Sequence, residues 1–166
     1  MYREIHVISV LHIQTLPVIM SMILTETTTI RKATLGDNSA IFELANQLHD
    51  KITVDEQTYQ KTFKCIIENS NQLLYVAESN SKLIGYFSAN IHSAIYANGE
   101  VMYLDEIVVD AGHRDRKIGN LLMAELEKQA SQHNCVLISL ATAGATEFYL
   151  KIGYSSKAGY YKKYLQ

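Results

Sequence analysis

Cysteine is scarce in this sequence, and the two cysteines are not arranged to hold a metal or a redox centre. Cys65 and Cys135 stand far apart in 166 residues, and neither belongs to a Cys-x-x-Cys pair. The six histidines fall at no metal-ligand spacing, so neither a metal site nor a disulfide framework is expected. We predict two buried thiols in a reducing compartment, and therefore a cytoplasmic protein.

An excess of charge of either sign is also missing. Lysine and arginine number 15 against 17 aspartates and glutamates, which leaves a net charge of −2 at pH 7. A chain with this balance is not expected to bind nucleic acid. Hydrophobic residues make up 48% of the chain and charged residues 19%, which excludes disorder as the expected state. The length predicts one domain with a substantial core.

No uninterrupted apolar run is present, although residues 5–24 come nearest to one. Polar residues and a proline interrupt it at His6, His12, Gln14 and Pro17. The run is therefore too broken for a transmembrane helix, which needs about 20 apolar residues, and it lacks the pattern of a signal peptide. No membrane association is expected.

The beginning of the chain is interpreted as an N-terminal extension of uncertain role, residues 1–27, ahead of a single domain at residues 28–166. Apolar residues alternate between Ile5 and Ile13, a spacing that allows a strand. We expect translation to start naturally at Met20 or Met22. The intact mass of the natively expressed protein would test this, and a full-length mass would contradict it.

The most informative stretch, residues 103–122, reads YLDEIVVDAGHRDRKIGNLL. It joins an apolar, β-rich run at residues 104–109 to a basic turn and a helix start at Ile118-Gly119. At such a junction, free backbone N–H groups and the positive end of the helix dipole face the same space. Arg114, Arg116 and Lys117 add positive charge suited to phosphates. We interpret the stretch as a pyrophosphate-binding cradle.

Two blocks of the sequence resemble the motifs of one enzyme family. Val109 followed by Arg114-Asp-Arg-Lys-Ile-Gly119 is similar to the Q/R-x-x-G-x-G/A signature of the GNAT superfamily, the acetyl-CoA-dependent N-acetyltransferases. Ala145-Thr-Glu-Phe-Tyr-Leu-Lys-Ile-Gly-Tyr154 is similar to the family's A-x-x-F-Y-x-K-x-G-F/Y segment. The resemblance spans roughly residues 30–165, and two ordered blocks are far more specific than one.

Three positions depart from the family pattern. Lys117 replaces the first glycine of the signature, Asp115 stands where a small or neutral residue is usual, and Thr142 stands where many relatives have a cofactor-contacting asparagine. Because glycine adopts positive φ without strain and lysine does not, we expect Lys117 to keep a negative φ at the helix start. We expect Asp115 to point away from the phosphates or to pair with Arg114 or Arg116.

Apolar spacing and turn residues predict the element order β-α-α-β-β-β-α-β-α-β. The strands are expected at about residues 29–34, 73–78, 83–91, 101–109, 136–140 and 160–165, and the helices after Asp37 through Leu48 and at about 55–68, 118–133 and 146–151. The third helix is expected to bury Leu121, Leu122, Leu126 and Ala130, and the strand after it is expected to be buried. The order matches the family, so the resemblance implies an α+β fold, a mixed and mostly antiparallel sheet flanked by helices.

The resemblance also implies acetyl-CoA as co-substrate. In the family, two neighbouring parallel strands splay apart, and the pantetheine arm pairs with the backbone of the first, which here ends at Ile107, Val108 and Val109. The other implied contacts lie in the basic turn, at the helix start and in the loop after the next strand: Arg114, Arg116, Lys117, Ile118, Gly119, Asn120 and Thr142.

Acetyl transfer to an amine requires a base, because an alkylammonium has a pKa of about 10.4. Glu106 is the candidate, since it lies on the cofactor strand just before the expected pantetheine contacts, and Asp105 is the second candidate. Alternation along a strand would place only one of them in the pocket. Both carboxylates being merely solvated or salt-bridged is the alternative. The resemblance implies that Tyr149 protonates the departing sulfur as general acid.

The leading interpretation is an N-acetyltransferase that moves acetyl from acetyl-CoA to a primary amine by direct attack in a ternary complex. A rival is a non-catalytic acyl-CoA-binding or sensing module, which Lys117 and Thr142 favour and Tyr149 and Glu106 do not. A nucleotide-binding protein is disfavoured, because the Walker lysine-serine pair is missing. The acceptor stays open among small-molecule amines, lysine side chains and N-terminal amines. A homodimer, common among relatives, would suit the apolar leader.

Overall fold

The computed structural model describes residues 27–48 and 54–165. The strands are β1 (Thr29–Lys32), β2 (Gln72–Ser79), β3 (Lys82–Ala94), β4 (Gly99–Val109) and β5 (Leu137–Leu140). The helices are α1 (Asn38–Ala45), α2 (Glu56–Glu68), α3 (Ile118–Gln132) and α4 (Thr146–Lys151). The predicted order is confirmed through α4. The strand that the spacing in the leader allows lies outside the described residues.

The described strands form one sheet in the order β1-β2-β3-β4-β5. The first four pair antiparallel, whereas β4 and β5 pair parallel. The link from β4 to β5 carries α3, because parallel neighbours need a long crossover connection. The α+β class and the mostly antiparallel sheet are therefore confirmed.

Helices cover both faces of the sheet. On one face α1 and α2 pack Ile41, Leu44 and Phe63 against residues of β2, β3 and β4 that include Tyr86 and Val108. On the other face α3 and α4 pack against a second set of strand residues. The set on this second face includes Phe87, Met102, Leu104, Leu122, Leu126 and Tyr149. The packed side chains of β4 that belong to these clusters can therefore be assigned to the α1/α2 face or to the α3/α4 face.

The predicted last strand is wrong. Residues 154–165 follow α4 without forming a strand, and Tyr160, Tyr161 and Leu165 are exposed. The segment reads Tyr-Tyr-Lys-Lys-Tyr-Leu from Tyr160. A half-buried strand needs apolar residues at every second position, whereas here like residues come in pairs and neither face is apolar.

Three predictions of burial also need correction. Leu121 is 41% exposed, because Leu122, Leu126 and Ala130 follow each other at four-residue spacing and turn Leu121 off the packed side of α3. Leu137 and its neighbour Val136 are exposed, since β5 is the edge of the described sheet. Cys65 is exposed and Cys135 half-buried, so the thiols are not both buried.

None of the described helices combines the length and the apolarity that crossing a membrane requires.

A network at the start of α1 ties it to the sheet. The Arg31 guanidinium donates to both carboxylate oxygens of Asp37, at 2.8 Å each, and to Glu78 at 2.7 Å. The Asp37 carboxylate also accepts from the backbone N–H and the hydroxyl of Thr34. These hydrogen bonds, with that from Arg31 foremost, lower the pKa of Asp37 to about 2.

We expect Asp37→Asn to destabilise the fold by about 2 kcal/mol at neutral pH, because a shift from 3.8 to about 2 is nearly two pKa units at about 1.4 kcal/mol each. Because the pKa of Asp37 is lower in the folded state, its ionised carboxylate stabilises the fold at pH values above the unfolded pKa. This stabilisation is lost as the pH falls toward about 2. Denaturant unfolding at pH 7 and pH 3 measures it. The difference between wild type and variant should shrink at pH 3, whereas the exposed control Glu43→Gln should change little at either pH.

Candidate functional site

The basic turn before α3 has an unusual backbone. Asp115 and Lys117 both adopt positive φ, 62° and 63°. The expectation that Lys117 keeps a negative φ is therefore wrong, and the position has the left-handed conformation that a glycine would favour. Each such residue costs about 1–2 kcal/mol of backbone strain. Strain of this kind is concentrated at functional sites.

Within the described residues, no side chain of the N-cap position covers the first N–H groups of α3. Lys117, the N-cap residue, makes no side-chain cap hydrogen bond, and the side chains of Lys117 and Asn120 are exposed, whereas Ile118 is buried. A Cβ at Gly119 would lie 3.3 Å from the Phe148 ring, so this glycine permits α4 to pack closely on the first turn of α3. The free N–H groups and the helix dipole favour an anion here.

Two sets of hydrogen bonds fix the end of β4 beneath this turn. The Arg114 Nε donates to the backbone oxygen of Val109 at 3.3 Å. The Asp110 carboxylate accepts from the Gln47 amide at 3.0 Å and from His113 Nδ1 at 2.7 Å, and these two contacts, with the Gln47 bond foremost, lower the pKa of Asp110. Because Gln47 follows α1, the network joins the first helix to the strand that leads into the turn.

The parallel pair β4 and β5 separates at this end of the sheet. Their pairing runs from Val101 opposite Leu137 to Leu104 opposite Leu140. There β5 ends, whereas β4 continues to Val109. Over residues 105–109 the β5 side of β4 thus has no paired strand among the described residues. Backbone N–H and C=O groups without a ladder partner form hydrogen bonds with an extended ligand as they would with a strand.

A β-bulge in β4 sets the direction of its two acids. Ser88 pairs with Glu106, but the next residue, Ala89, pairs with Leu104, so Asp105 is an extra residue in β4. Leu104 lies on the α3/α4 face and Val108 on the α1/α2 face. Without the bulge, Glu106 would share the face of Leu104; with it, Glu106 shares the face of Val108.

Asp105 and Glu106 consequently line the same cavity, and the prediction that only one of them faces the pocket is wrong. The cavity has a volume of about 700 Å³ and lies between α1, α2 and the sheet. Its described walls include Ile41, Tyr59, Phe63, Ile66 and Leu74, together with the ionisable residues Asp55, Asp105, Glu106 and Lys162. An apolar cavity with a few converging polar groups is the usual form of a small-molecule site.

Each acid of the bulge has a partner on β3. Tyr86, only 1% exposed, donates its hydroxyl to Glu106 Oε2 at 2.8 Å. The Asn90 amide donates to both oxygens of Asp105, at 3.0 and 2.9 Å. The surrounding protein desolvates Asp105 and raises its pKa, an effect that the Asn90 hydrogen bond partly offsets. Neither acid forms a described salt bridge, so both carboxylates face the cavity as hydrogen-bonded groups.

Tyr149 lies on the opposite face of the sheet from these acids. It is 7% exposed in the core formed with α3, and its ring makes edge contacts with Phe148 and Tyr154. Burial raises its pKa. Within the described residues no side chain hydrogen-bonds its hydroxyl. Thr142 lies in the exposed loop before α4, where its Oγ1 accepts from the Ala145 backbone N–H at 3.0 Å.

The structure thus brings most of the predicted residues to one end of the sheet. Ile107, Val108 and Val109 border the opening between β4 and β5, and the basic turn with the start of α3 follows them directly in the chain. Sequence reasoning missed Tyr86, Asn90 and Asp55. The spacing of Tyr86 and Asn90 from the two acids carries no motif, and only the strand register and the bulge reveal that they meet. Asp55, just before α2, lines the same cavity.

Comparisons with known proteins identify this arrangement. The profile described as acetyltransferase (GNAT) family matches residues 39–154, which is most of the chain. The chain belongs to the GNAT family of acetyltransferases. It is accordingly an acyltransferase, with acetyl-CoA as co-substrate, and the predicted family is confirmed.

Individual relatives agree with this membership. The chain is 28% identical to the aminoalkylphosphonate N-acetyltransferase of Salmonella typhimurium over 129 residues, 75% of this chain and 83% of the relative. Its fold is similar to that of glucosamine-6-phosphate N-acetyltransferase from Arabidopsis thaliana, with a TM-score of 0.75 and 24% identity over 85% of this chain and 100% of the other. A Clostridium acetobutylicum predicted acetyltransferase solved with acetyl-CoA gives a TM-score of 0.70 and 18% identity over 84% and 97% of the two chains.

Proposed function

We propose that this acetyltransferase transfers acetyl to a cationic primary amine by direct attack in a ternary complex, with Glu106 as the base. The observation that carries the proposal is the bulge in β4, which turns Glu106 into the cavity beside the unpaired edge of the same strand. We also propose residues 28–166 as the single catalytic domain and residues 1–27 as an extension to it.

In the proposed reaction, the base and the group that stabilises the sulfur lie on opposite faces of the sheet. Glu106, directly or through a water, takes a proton from the acceptor ammonium, and the neutral nitrogen attacks the thioester carbonyl carbon. The N–C bond forms and the C–S bond breaks. A second proton leaves the nitrogen and ends on the sulfur, where the Tyr149 hydroxyl stabilises the developing negative charge.

The residues at the open end of the sheet fit acetyl-CoA, which supplies the activated acetyl group. The unpaired edge at Ile107, Val108 and Val109 would hold the pantetheine arm, and the start of α3 at Ile118, Gly119 and Asn120 would face the pyrophosphate. Arg114, Arg116 and Lys117 supply positive charge at the same place, and Thr142 borders the site from the loop before α4. The positive φ of Lys117 supports this fit, because it gives the turn the backbone of the usual glycine.

The charges of the cavity favour a cation as acceptor. Three carboxylates, those of Asp55, Asp105 and Glu106, are part of the described lining, against the single ammonium of Lys162. Carboxylates attract the ammonium group of an acceptor and repel an anionic group on it. The name of the Salmonella relative indicates an aminoalkylphosphonate, so we would include that class among the amines tested, but we expect amines without an anionic group to react faster.

Calorimetric titration tests the cofactor part of the proposal. Acetyl-CoA and desulfo-CoA should bind with micromolar affinity, whereas ATP and inorganic phosphate should bind much more weakly. A panel of amines, comprising polyamines, aminoglycosides, amino acids, aminoalkylphosphonates and peptides, should then be assayed by release of free thiol. Binding of acetyl-CoA without thiol release from any amine would favour the non-catalytic acyl-CoA-binding alternative.

Arg114→Ala should weaken acetyl-CoA binding roughly 5- to 30-fold, the value of one charge-assisted contact to a phosphate, and should leave the KM of the amine nearly unchanged. The matched control is Lys128→Ala, which removes an exposed positive charge from α3, well away from the basic turn. Equal affinity of wild type and Arg114→Ala for acetyl-CoA would place the pyrophosphate elsewhere.

A further inference from the structure

We propose that Tyr86 is a positioning residue for the reaction, which holds the Glu106 carboxylate with one oxygen toward the acceptor. The inference rests on the proposed function, since it requires that Glu106 act on the amine. It adds a residue that belongs to neither family motif. The contact that carries it is the hydrogen bond of 2.8 Å from the Tyr86 hydroxyl to Glu106 Oε2.

The strand register explains how this contact arises. Tyr86 pairs with Val108, and Glu106 lies two residues before Val108 on the same face of β4. The two side chains are therefore diagonal neighbours, a separation that a tyrosine can span. Ser88, directly opposite Glu106, has a side chain too short to reach in the same way. The contact depends on the bulge, because without it Glu106 would lie on the other face.

The environment of Tyr86 keeps its hydroxyl protonated, so that it remains a hydrogen-bond donor. Its side chain is 1% exposed, whereas the Glu106 side chain is exposed to the cavity. Burial first, and then the nearby Glu106 carboxylate, raise the pKa of Tyr86 far above its usual value, so the hydroxyl keeps its proton. The bond occupies Oε2 and leaves Oε1 for the acceptor or a water. A carboxylate fixed in this way loses little rotational freedom when the amine arrives.

Tyr86→Phe tests the inference. The kcat/KM for the amine should fall roughly 5- to 50-fold, as expected when a catalytic group is misplaced, while the affinity for acetyl-CoA stays constant. The loss should fall on kcat more than on the KM of the amine, because Tyr86 orients the carboxylate and does not itself bind the acceptor. The other described groups around the cavity, Asp55, Asp105, Tyr59 and Lys162, are unchanged. Tyr75→Phe, a sheet tyrosine stacked on Phe87, is the control for loss of a hydroxyl.

A double-mutant cycle separates positioning from a general loss of packing. In a Glu106→Gln background, Tyr86→Phe should cause almost no further loss, whereas additive effects would show that Tyr86 acts independently of Glu106 and would overturn the inference. A loss in Tyr86→Phe confined to the KM of the amine would also overturn it. Full activity of Glu106→Gln would instead reject the proposed base, so the two failures are distinguishable.

A second variant covers the case in which Tyr86→Phe does not fold. Glu106→Asp changes an exposed side chain and shortens it, so that it no longer reaches the Tyr86 hydroxyl. Its kcat should fall roughly 5- to 50-fold while the affinity for acetyl-CoA stays constant, and a wild-type kcat without this contact would contradict the proposal.

Discussion

Glu106→Gln should lower kcat/KM for the amine at pH 7 roughly 100- to 1000-fold, in the range that general-base catalysis supplies. Without a base, the reaction depends on amine that is already neutral. For an alkylamine of pKa about 10.4, only about one molecule in 2,500 is neutral at pH 7. The rate of the variant should therefore rise about tenfold per pH unit between pH 7 and 9, whereas the wild-type rate should rise much less. Thiol release followed over this range measures both slopes.

The exchange is nearly isosteric, and the glutamine oxygen still accepts from Tyr86, so the fold should be unaffected. Glu100→Gln is the matched control, because Glu100 lies on the same strand with a hydrogen bond from Ser93 and is not part of the described cavity lining. Wild-type rates in Glu106→Gln combined with a large loss in Asp105→Asn would transfer the role of base to Asp105. Its raised pKa, caused by desolvation, is compatible with that role.

The pair of acids shows where sequence reasoning stops. The strand itself, the presence of two acids within it and the helix after the turn follow from apolar spacing and motif order. The bulge does not, because it depends on how Ser88 and Ala89 of a neighbouring strand pair with β4. Strict alternation therefore gave the wrong answer for Asp105 and Glu106. The same limit hid Tyr86, whose contact with Glu106 exists only in that register.

The basic turn shows a second limit, which is the conflict between local preference and tertiary structure. Lysine disfavours the left-handed region, so the sequence argued for negative φ at Lys117. The observed φ of 63° at Lys117 shows that the geometry of the strand–turn–helix junction overrides the local preference of lysine. Lys117 thus adopts a backbone conformation that glycine would favour, at a cost in strain that the packing of β4 and α3 has to offset.

Tyr149→Phe should lower kcat roughly 10- to 1000-fold with little change in acetyl-CoA affinity. Burial raises the pKa of Tyr149 above its usual value of about 10, whereas an alkyl thiol has a pKa near 8.5. Complete proton transfer from this hydroxyl to the departing thiolate is therefore uphill. We therefore expect its larger contribution to be a hydrogen bond to the sulfur while negative charge develops there, since a donor in a water-excluded core needs little reorganisation.

The pH dependence of single-turnover rates distinguishes these two roles. If Tyr149 only donates a hydrogen bond, wild type and Tyr149→Phe should share the same basic limb, with the variant slower at every pH by a constant factor. If it transfers its proton fully, the variant should lose that limb. Tyr75→Phe removes a hydroxyl from the sheet and should leave kcat unchanged. An unchanged kcat in Tyr149→Phe would remove Tyr149 from the reaction and leave it as a core residue, in contact with Phe148 and Tyr154.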